Sequence, residues 1–260
     1  MVETDVAVTV AELSQFKELE QASQLYREVF GYNGSESGLN PHLLKALAIH
    51  GGTVLGAWSA NGELVGFAYG FTGMSDGDIY LYSQAVVVAS QFQGKGLGRI
   101  LKQAQRDTAL RNGLVHMRWS FNPIYARNAH LNLDVLGAVG RWFSKDYYGA
   151  LGSNRITVDW DLAESHEQVA QRRTLLEPSQ KQYQSAQWGQ AIRMGHSAVV
   201  PIPADVTVEP KKISSDQDMI QDRLAMSLGQ LLDEGFSVVS CRRVDSQTAV
   251  YLLSQSDPSR

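Results

Sequence analysis

The stretch VVVASQFQGKGLGRILKQAQRDTALRNG, residues 86–113, constrains this chain more than any other. β-branched valines run into a loop holding Gly94, Gly96 and Gly98, and apolar positions then recur at helical spacing. Glycine loses the most backbone freedom on ordering. Three of them, set two apart where a strand hands over to a helix, mark a close approach to the backbone. The first N–H groups of the helix lack internal partners and carry the positive end of its dipole, so strand, loop and helix together make an anion cradle. A tight connection with no ligand is the alternative. Leu97, Leu101, Ala104 and Thr108 line one face of this helix, Arg99, Lys102 and Arg106 are expected to face water, and Asn112-Gly113 reads as the stop.

The segments around this unit complete a mixed α/β pattern. VAVTVAEL reads as a strand, FKELEQASQLYREVFG as an amphipathic helix ending near Gly31, and YNGSESGLNP as loop. PHLLKALAIH reads as a short helix capped by Asn40 with Pro41 in its first turn. Two strands surround Asn61-Gly62, a hairpin signal because both residues tolerate positive φ, and DIYLYSQAVVV is a further strand. LVHMRWSF alternates, with Val115, Met117, Trp119 and Phe121 on one side; NAHLNLDVLG is a short helix, and AVGRWFSKDYYGALGSNRITVDW two strands about a Gly-Ser-Asn turn.

The composition shifts near residue 161. Residues 161–194 are Gln-rich with weak periodicity and read as helical linker or excursion. From 195 to 260 a compact pattern returns: the strand SAVVPIP, a helix with Leu224, Leu228, Leu231 and Leu232 on its apolar face, then FSVVSCRRV and TAVYLLS. In FSVVSCRRV, Phe236, Val238 and Ser240 alternate with Ser237, Val239 and Cys241.

The chain of 260 residues, 43% hydrophobic and 19% charged, has the make-up of a globular protein. A net charge of −4 argues against nucleic acid or an anionic membrane as partner. No apolar run has membrane-spanning length and MVETDVAVTV lacks the pattern of an export signal, so a cytoplasmic location is expected. Cys241 is the one cysteine, and six histidines form no close His/Glu pattern, so no metal site is expected. The Arg172-Arg173 pair reads as a solvated face.

Among glycine loops, a Rossmann fingerprint fails because Arg99 holds the sixth place, and a P-loop fails because no Gly-Lys-Ser/Thr is present. What remains is Gln93-Gly94-Lys95-Gly96-Leu97-Gly98, a Gln/Arg-x-x-Gly-x-Gly pattern followed by Arg99. With its strand–turn–helix context and with GTVLGAW, GELVGFAYGF, RWSFNP, RNAHLNLDVLGA and YYG, it resembles the GNAT acyltransferases, and within them an uncharacterised branch. The resemblance covers residues 1–160 and, more loosely, the tail ending in YLL. It implies a central, mostly antiparallel, splayed sheet flanked by helices over 1–160, with a small α+β subdomain over 195–260.

The resemblance also implies acetyl-CoA as co-substrate, with no metal. Val86, Val87 and Val88 would face the pantetheine arm and thioester, and Gln93, Gly94, Lys95, Gly96, Gly98 and Arg99 would surround the pyrophosphate. Asn128 would hold the pantetheine side, a helix cap being its other reading. The branch usually has His where Gln84 stands and Asp where Asn122 stands, and the usual acid Tyr is replaced by Leu133. Tyr147 and Tyr148 are the nearest substitutes as acid, hairpin packing being the alternative; Asn122, Tyr82 and Trp119 are candidates for the acceptor pocket. The expected activity is direct transfer of an acetyl or other acyl group to an amine of a small molecule or peptide. Two alternatives stay open: a non-catalytic acyl-CoA-binding or sensing module, and an interaction protein whose C-terminal piece recruits a partner.

Overall fold

A computed structural model of the protein describes residues 7–32, 38–173, 183, 186–206 and 215–255. The start of the chain, residues 33–37 of the expected loop, the middle of the linker and the Arg172-Arg173 side chains lie outside the described residues. The chain divides into two compact units, Met1–Arg118 and Trp119–Arg260. The fold is of mixed α/β type, with open, mostly antiparallel sheet flanked by helices.

The first unit contains β1 (Val8–Glu12), α1 (Phe16–Phe30), α2 (Pro41–Ile49), β2 (Thr53–Ser59), β3 (Leu64–Ser75), β4 (Asp78–Val88) and α3 (Leu97–Arg111). β5 (His116–Phe121) begins in it. Strands β1 to β4 pair antiparallel in sequence order, and β4 pairs parallel with β5 at Leu81↔Met117 and Tyr82↔Arg118. The expected caps form: the Asn40 side chain accepts from His42 N, and Gly31 ends α1 at φ 68°. Gly62 turns the β2–β3 hairpin at φ 75°.

Both faces of this sheet are buried. Leu19, Ala22 and Leu25 of α1 and Leu44 of α2 cover Val54, Phe67, Tyr69 and Val87. On the other face Leu97 and Leu101 of α3 pack with Ala57, Val65 and Ala68. β3 presents Gly66, Ala68 and Gly70 in alternation; a Cβ on Gly66 would lie 3.3 Å from both Leu97 and Leu101, so small residues set how closely α3 sits.

The second unit contains the end of β5, α4 (Ala126–His130) running into a π turn at Leu131–Val135, β6 (Val139–Ser144), β7 (Arg155–Asp161) and α5 (His166–Arg173). β8 (Ile192–Met194), β9 (Ser197–Pro203), α6 (Ser215–Asp233), β10 (Phe236–Arg243) and β11 (Thr248–Gln255) follow. Its strand order is β7-β6-β10-β11-β9-β8, with antiparallel pairs. β10 meets β6 at Val238↔Gly140, where a Cβ on Gly140 would come within 2.9 Å of Val238 and Ile156. Leu224, Leu228, Leu231 and Leu232 of α6 are buried, as their spacing predicts. β8 pairs with β9 over Ile192↔Val199 to Met194↔Ser197, and Gly189 N donates to Pro201 O at 2.7 Å farther along β9.

Four readings need correction. Lys102, expected in water, is 6% exposed. Val115 lies before β5 and is exposed, because that strand opens at His116. β10 does not alternate in burial: Phe236 to Cys241 are all buried, since both faces are covered, and a bulge interrupts the register between Val238 and Ser240. NAHLNLDVLG is not a plain short helix but an α turn followed by a π turn. The short strand β8 was absent from the sequence reading, three residues being too few to carry a period.

Candidate functional site

β4 carries the first distinctive feature. Tyr69 pairs with Ala85 and Gly70 with Ser83, so Gln84 is an extra residue in β4, a bulge, and its side chain is exposed. Bulges re-aim a strand and are frequent beside active sites. Beyond the bulge Val86 and Val88 turn toward α3, and Val87 is buried against the α1 side.

The loop after β4 is tied to its own strand. A short 3₁₀ turn spans Ser90–Phe92, and Gln93 Nε2 donates to Val88 O at 3.0 Å. Gly94 and Gly96 have φ of 78° and 82°, so the backbone itself demands glycine at both. The Lys95 ammonium lies 5.4 Å from the centre of the Phe92 ring. Gly96 caps α3, and the N–H groups of Arg99 and Ile100 bond to Gly96 O at 3.0 and 3.2 Å. Leu97 and Gly98 therefore precede the first intrahelical donors, as helix geometry requires.

Gly98 differs from the other two. Its φ is not positive, and a Cβ built on it meets nothing within 4 Å. Neither backbone strain nor a protein neighbour calls for glycine here. The space that a side chain would fill lies over the first turn of α3, next to Lys95 and Arg99. That opening is what a diphosphate needs to reach the N–H groups directly. Residues Val86–Val88 and Gln93–Arg99 thus form one continuous strand–loop–helix surface within the first unit, and its chemistry fits an anionic cofactor.

Beneath this surface runs a buried polar chain. Lys102 Nζ donates to Ser83 Oγ at 2.8 Å, Ser83 Oγ donates to Gln105 Oε1 at 2.7 Å, and Gln105 Nε2 donates to Thr53 Oγ1 at 3.1 Å. Thr53, Gly70 and Ser83 are in register across β2, β3 and β4. Gly70 has no side chain in the middle of that row, which leaves Gln105 room to span it. Burial holds the Lys102 amine well below the usual lysine pKa.

A test of this burial follows. The folded value lies below the unfolded one of 10.5, so between the two the unfolded chain binds more protons. The contribution of Lys102 to stability is therefore lowest below the folded value and rises with pH up to the unfolded one. Chemical unfolding of Lys102→Met and parent at pH 7 and pH 10 should give a parent-minus-variant difference that grows with pH. A difference independent of pH would mean that Lys102 stays charged.

The second unit holds the remaining candidates. Asn122 Oδ1 accepts from Ile124 N at 3.1 Å, shaping the turn after β5. Asn128 is the third residue of α4, whose cap is Tyr125, so the cap reading is overturned; its Oδ1 accepts from Asn132 Nδ2 at 3.4 Å. Leu133 is fully buried in the π turn. On either side of it, Asn132 Oδ1 accepts from Trp119 Nε1 at 3.1 Å, and Asp134 accepts from Ser240 Oγ at 2.6 Å and Cys241 N at 2.7 Å. Trp119 is buried edge-on against Trp160, which is core packing, while Tyr82 in the first unit is half-buried beside Phe71.

Tyr147 and Tyr148 project from the β6–β7 hairpin, 43% and 62% exposed, with ring centres 4.9 Å apart. The hairpin is braced by Asp146, which takes φ 49° and accepts from Gly152 N at 2.9 Å. Arg155 lies 4.9 Å over the Tyr148 ring. Both hydroxyl-bearing rings thus stand at the surface of a hydrogen-bonded turn. Groups of His, Cys, Asp and Glu able to hold a metal are absent among the described residues. No helix among them is long and apolar enough to cross a membrane.

A bulged strand, a glycine loop and a helix opening over an anion cradle define an α/β fold with a site suited to an anionic ligand. Residues 19–130 match the family model described as Acetyltransferase (GNAT) family, which supports a GNAT acetyltransferase domain over that stretch. The structure resembles that of yncA from Salmonella typhimurium, solved with its cofactor acetyl-CoA, at 20% identity and a TM-score of 0.50. The match covers 61% of this chain and 96% of that one. A protein of Acinetobacter baylyi ADP1 matches at 12% identity and a TM-score of 0.50, over 62% of this chain and 94% of that one. These likenesses are of fold. No curated protein matches this chain. Acyl transfer is the general chemistry that the GNAT domain supports.

Proposed function

We propose that the protein is an acetyl-CoA-dependent acyltransferase that moves an acetyl or other acyl group to an amine of a small molecule or peptide. The opening over Gly98 carries this reading: it admits a ligand at a helix start whose loop already carries Lys95 and Arg99. Gln93, Gly94, Lys95, Gly96, Gly98 and Arg99 would hold the pyrophosphate, and the strand end Val86–Val88 and Asn128 the pantetheine. The acetyl-CoA bound by yncA supports the same cofactor here. The catalytic domain would be residues 1–160, with a linker over 161–194 and an extension over 195–260.

The cofactor supplies an activated thioester. An amine with a free lone pair attacks its carbonyl carbon, forming C–N and breaking C–S, and the amine proton ends on the departing thiolate. An alkylammonium has a reference pKa near 10, so it must shed a proton before attack, whereas thiols at about 8.5 leave with little help. Tyr147 and Tyr148 are the proposed proton donors and Asn122 a proposed lining residue of the acceptor pocket. Tyr147→Phe or Tyr148→Phe is expected to lower kcat about tenfold with KM little changed, a modest general-acid effect because the leaving group is already acidic. Unchanged kcat in both would remove the tyrosines from the reaction.

A non-catalytic acyl-CoA-binding module is the second reading, favoured by Leu133, whose full burial leaves no hydroxyl at the usual acid position. Calorimetric titration with acetyl-CoA tests the cofactor shared by both. Thiol release across a panel of amines then separates them: binding without turnover on any amine would favour the module.

A further inference from the structure

The chain Lys102–Ser83–Gln105–Thr53 has no part in the reaction proposed above, yet it meets β4 one residue before the Gln84 bulge. Its donor helix is the same α3 whose first turn forms the cradle. Gly98, Lys102 and Gln105 stand four and three residues apart, so they share one helical face, from the open cradle down to the buried chain. Leu97 and Leu101 also pack α3 against Val86 and Val88, but apolar contact tolerates sliding, whereas hydrogen bonds set a position. A polar chain across three strands is costly to bury and contributes only when each link is made. Its links fix one register, because a one-residue slip of β4 would turn Ser83 to the opposite face and put Tyr82 or Gln84, both far larger than serine, in its place beside Lys102 and Gln105.

We propose that Lys102, through Ser83, is a positioning residue that locks the bulge of β4 at Gln84 and so sets the spacing between the α3 cradle and the strand end Val86–Val88. This rests on the acyl-CoA reading, in which the cradle takes the diphosphate and the strand end the thioester. Two ends of one cofactor then rest on two elements, and the buried chain ties those elements together. Gln105 extends the tie to Thr53 of β2 across the bare Gly70, where a Cβ would come within 2.5 Å of Tyr82 O. Gly70 is therefore part of the same device: any side chain there clashes with β4 at Tyr82 O and Ser83.

The test begins with native-state hydrogen exchange on the ligand-free full chain. Lys102→Met and Ser83→Ala should each speed exchange at the Ser83–Val86 amides about tenfold, with the hairpin amides of Ala57–Gly66 changed less than about twofold. In turnover assays kcat should fall about tenfold while acetyl-CoA affinity stays within about threefold, since the cradle itself is intact. Thr53→Val, which cuts the far end of the chain, should give the same pattern more weakly, and it stands in with Ser83→Ala if Lys102→Met does not fold. A uniform rise in exchange across the unit, or protection unchanged at the bulge, overturns the proposal. The exchange measurement needs no ligand. Failure of the parent to bind acetyl-CoA would therefore sink the acyl-CoA reading by itself, whereas localised exchange with kcat unchanged would sink only the positioning role.

Discussion

Gly96→Val is expected to abolish measurable acetyl-CoA binding while leaving a cooperative fold. Gly96 sits at φ 82° as the residue capping α3, and a β-branched side chain in that region resists the dihedral by about 1–2 kcal/mol and crowds the cradle. Losing two charge-assisted hydrogen bonds, each about 1.5–3 kcal/mol, lowers affinity at least about a hundredfold. The fold survives because Gly96 is solvent-exposed and the strand and helix on either side keep their packing. Gly98→Ala sharpens the experiment. With open space around its Cβ and no positive φ, alanine there should raise the melting temperature slightly, as alanine exceeds glycine in a helix by about 1 kcal/mol. It should nonetheless weaken acetyl-CoA. Calorimetric affinity unchanged in both variants would remove the pyrophosphate from this loop.

Ending the chain after Trp160 should leave a protein that does not fold cooperatively. Removing residues 161–260 strips β10 from β6 and leaves Gly140 against empty space where Val238 packed. Asp134 loses two donors, Ser240 Oγ and Cys241 N, and is left a largely buried carboxylate with His130 Nδ1 at 3.4 Å. The buried Tyr251 hydroxyl, which donates to Pro123 O at 2.8 Å, is lost too. Each unmade buried bond costs about 1–3 kcal/mol, and exposure of the sheet's apolar side adds more. The measurement is soluble yield and thermal melting of the shortened chain beside the parent. A soluble monomer that melts like the parent and keeps full activity would show that residues 161–260 are an independent appendage.

Much of this was legible because period and turn chemistry agree locally. The Asn61-Gly62 turn states a hairpin, and the Leu stripe of α6 states a helix and its buried face. The glycine loop was legible through spacing, since Gly94 and Gly96 are demanded by dihedrals that only a turn at that place creates. Lys102 was not. On a helical wheel it falls among charged residues, and only the tertiary placement of Ser83 and Gln105 gives its amine a buried partner. The bulge at Gln84 was hidden for a similar reason: it exists as a mismatch of register between two strands, and a single strand carries no record of its partner's count. The π turn at Leu131–Val135 likewise goes with long-range partners that the local sequence does not carry, Trp119 for Asn132 and β10 for Asp134.

The outer edge of β9 has a consequence for how a sheet can stop inside a protein. β8 shields only its first three residues. Beyond them the carbonyl of Pro201 points outward, since it accepts from Gly189, and in a strand the nitrogen of the same residue points the same way. Pro203, two residues on, repeats that orientation. At both places the outward nitrogen bears no hydrogen and the residue is buried, so this edge leaves no orphaned donor away from water. The inner rim, facing β11, keeps its full ladder from Thr248↔Pro203 to Ser254↔Ser197. A strand can therefore be a good neighbour on one side and a refusal on the other. Restoring the two hydrogens, with Val at 201 and 203, would place two N–H groups at a buried edge, where an unmade bond costs about 1–3 kcal/mol.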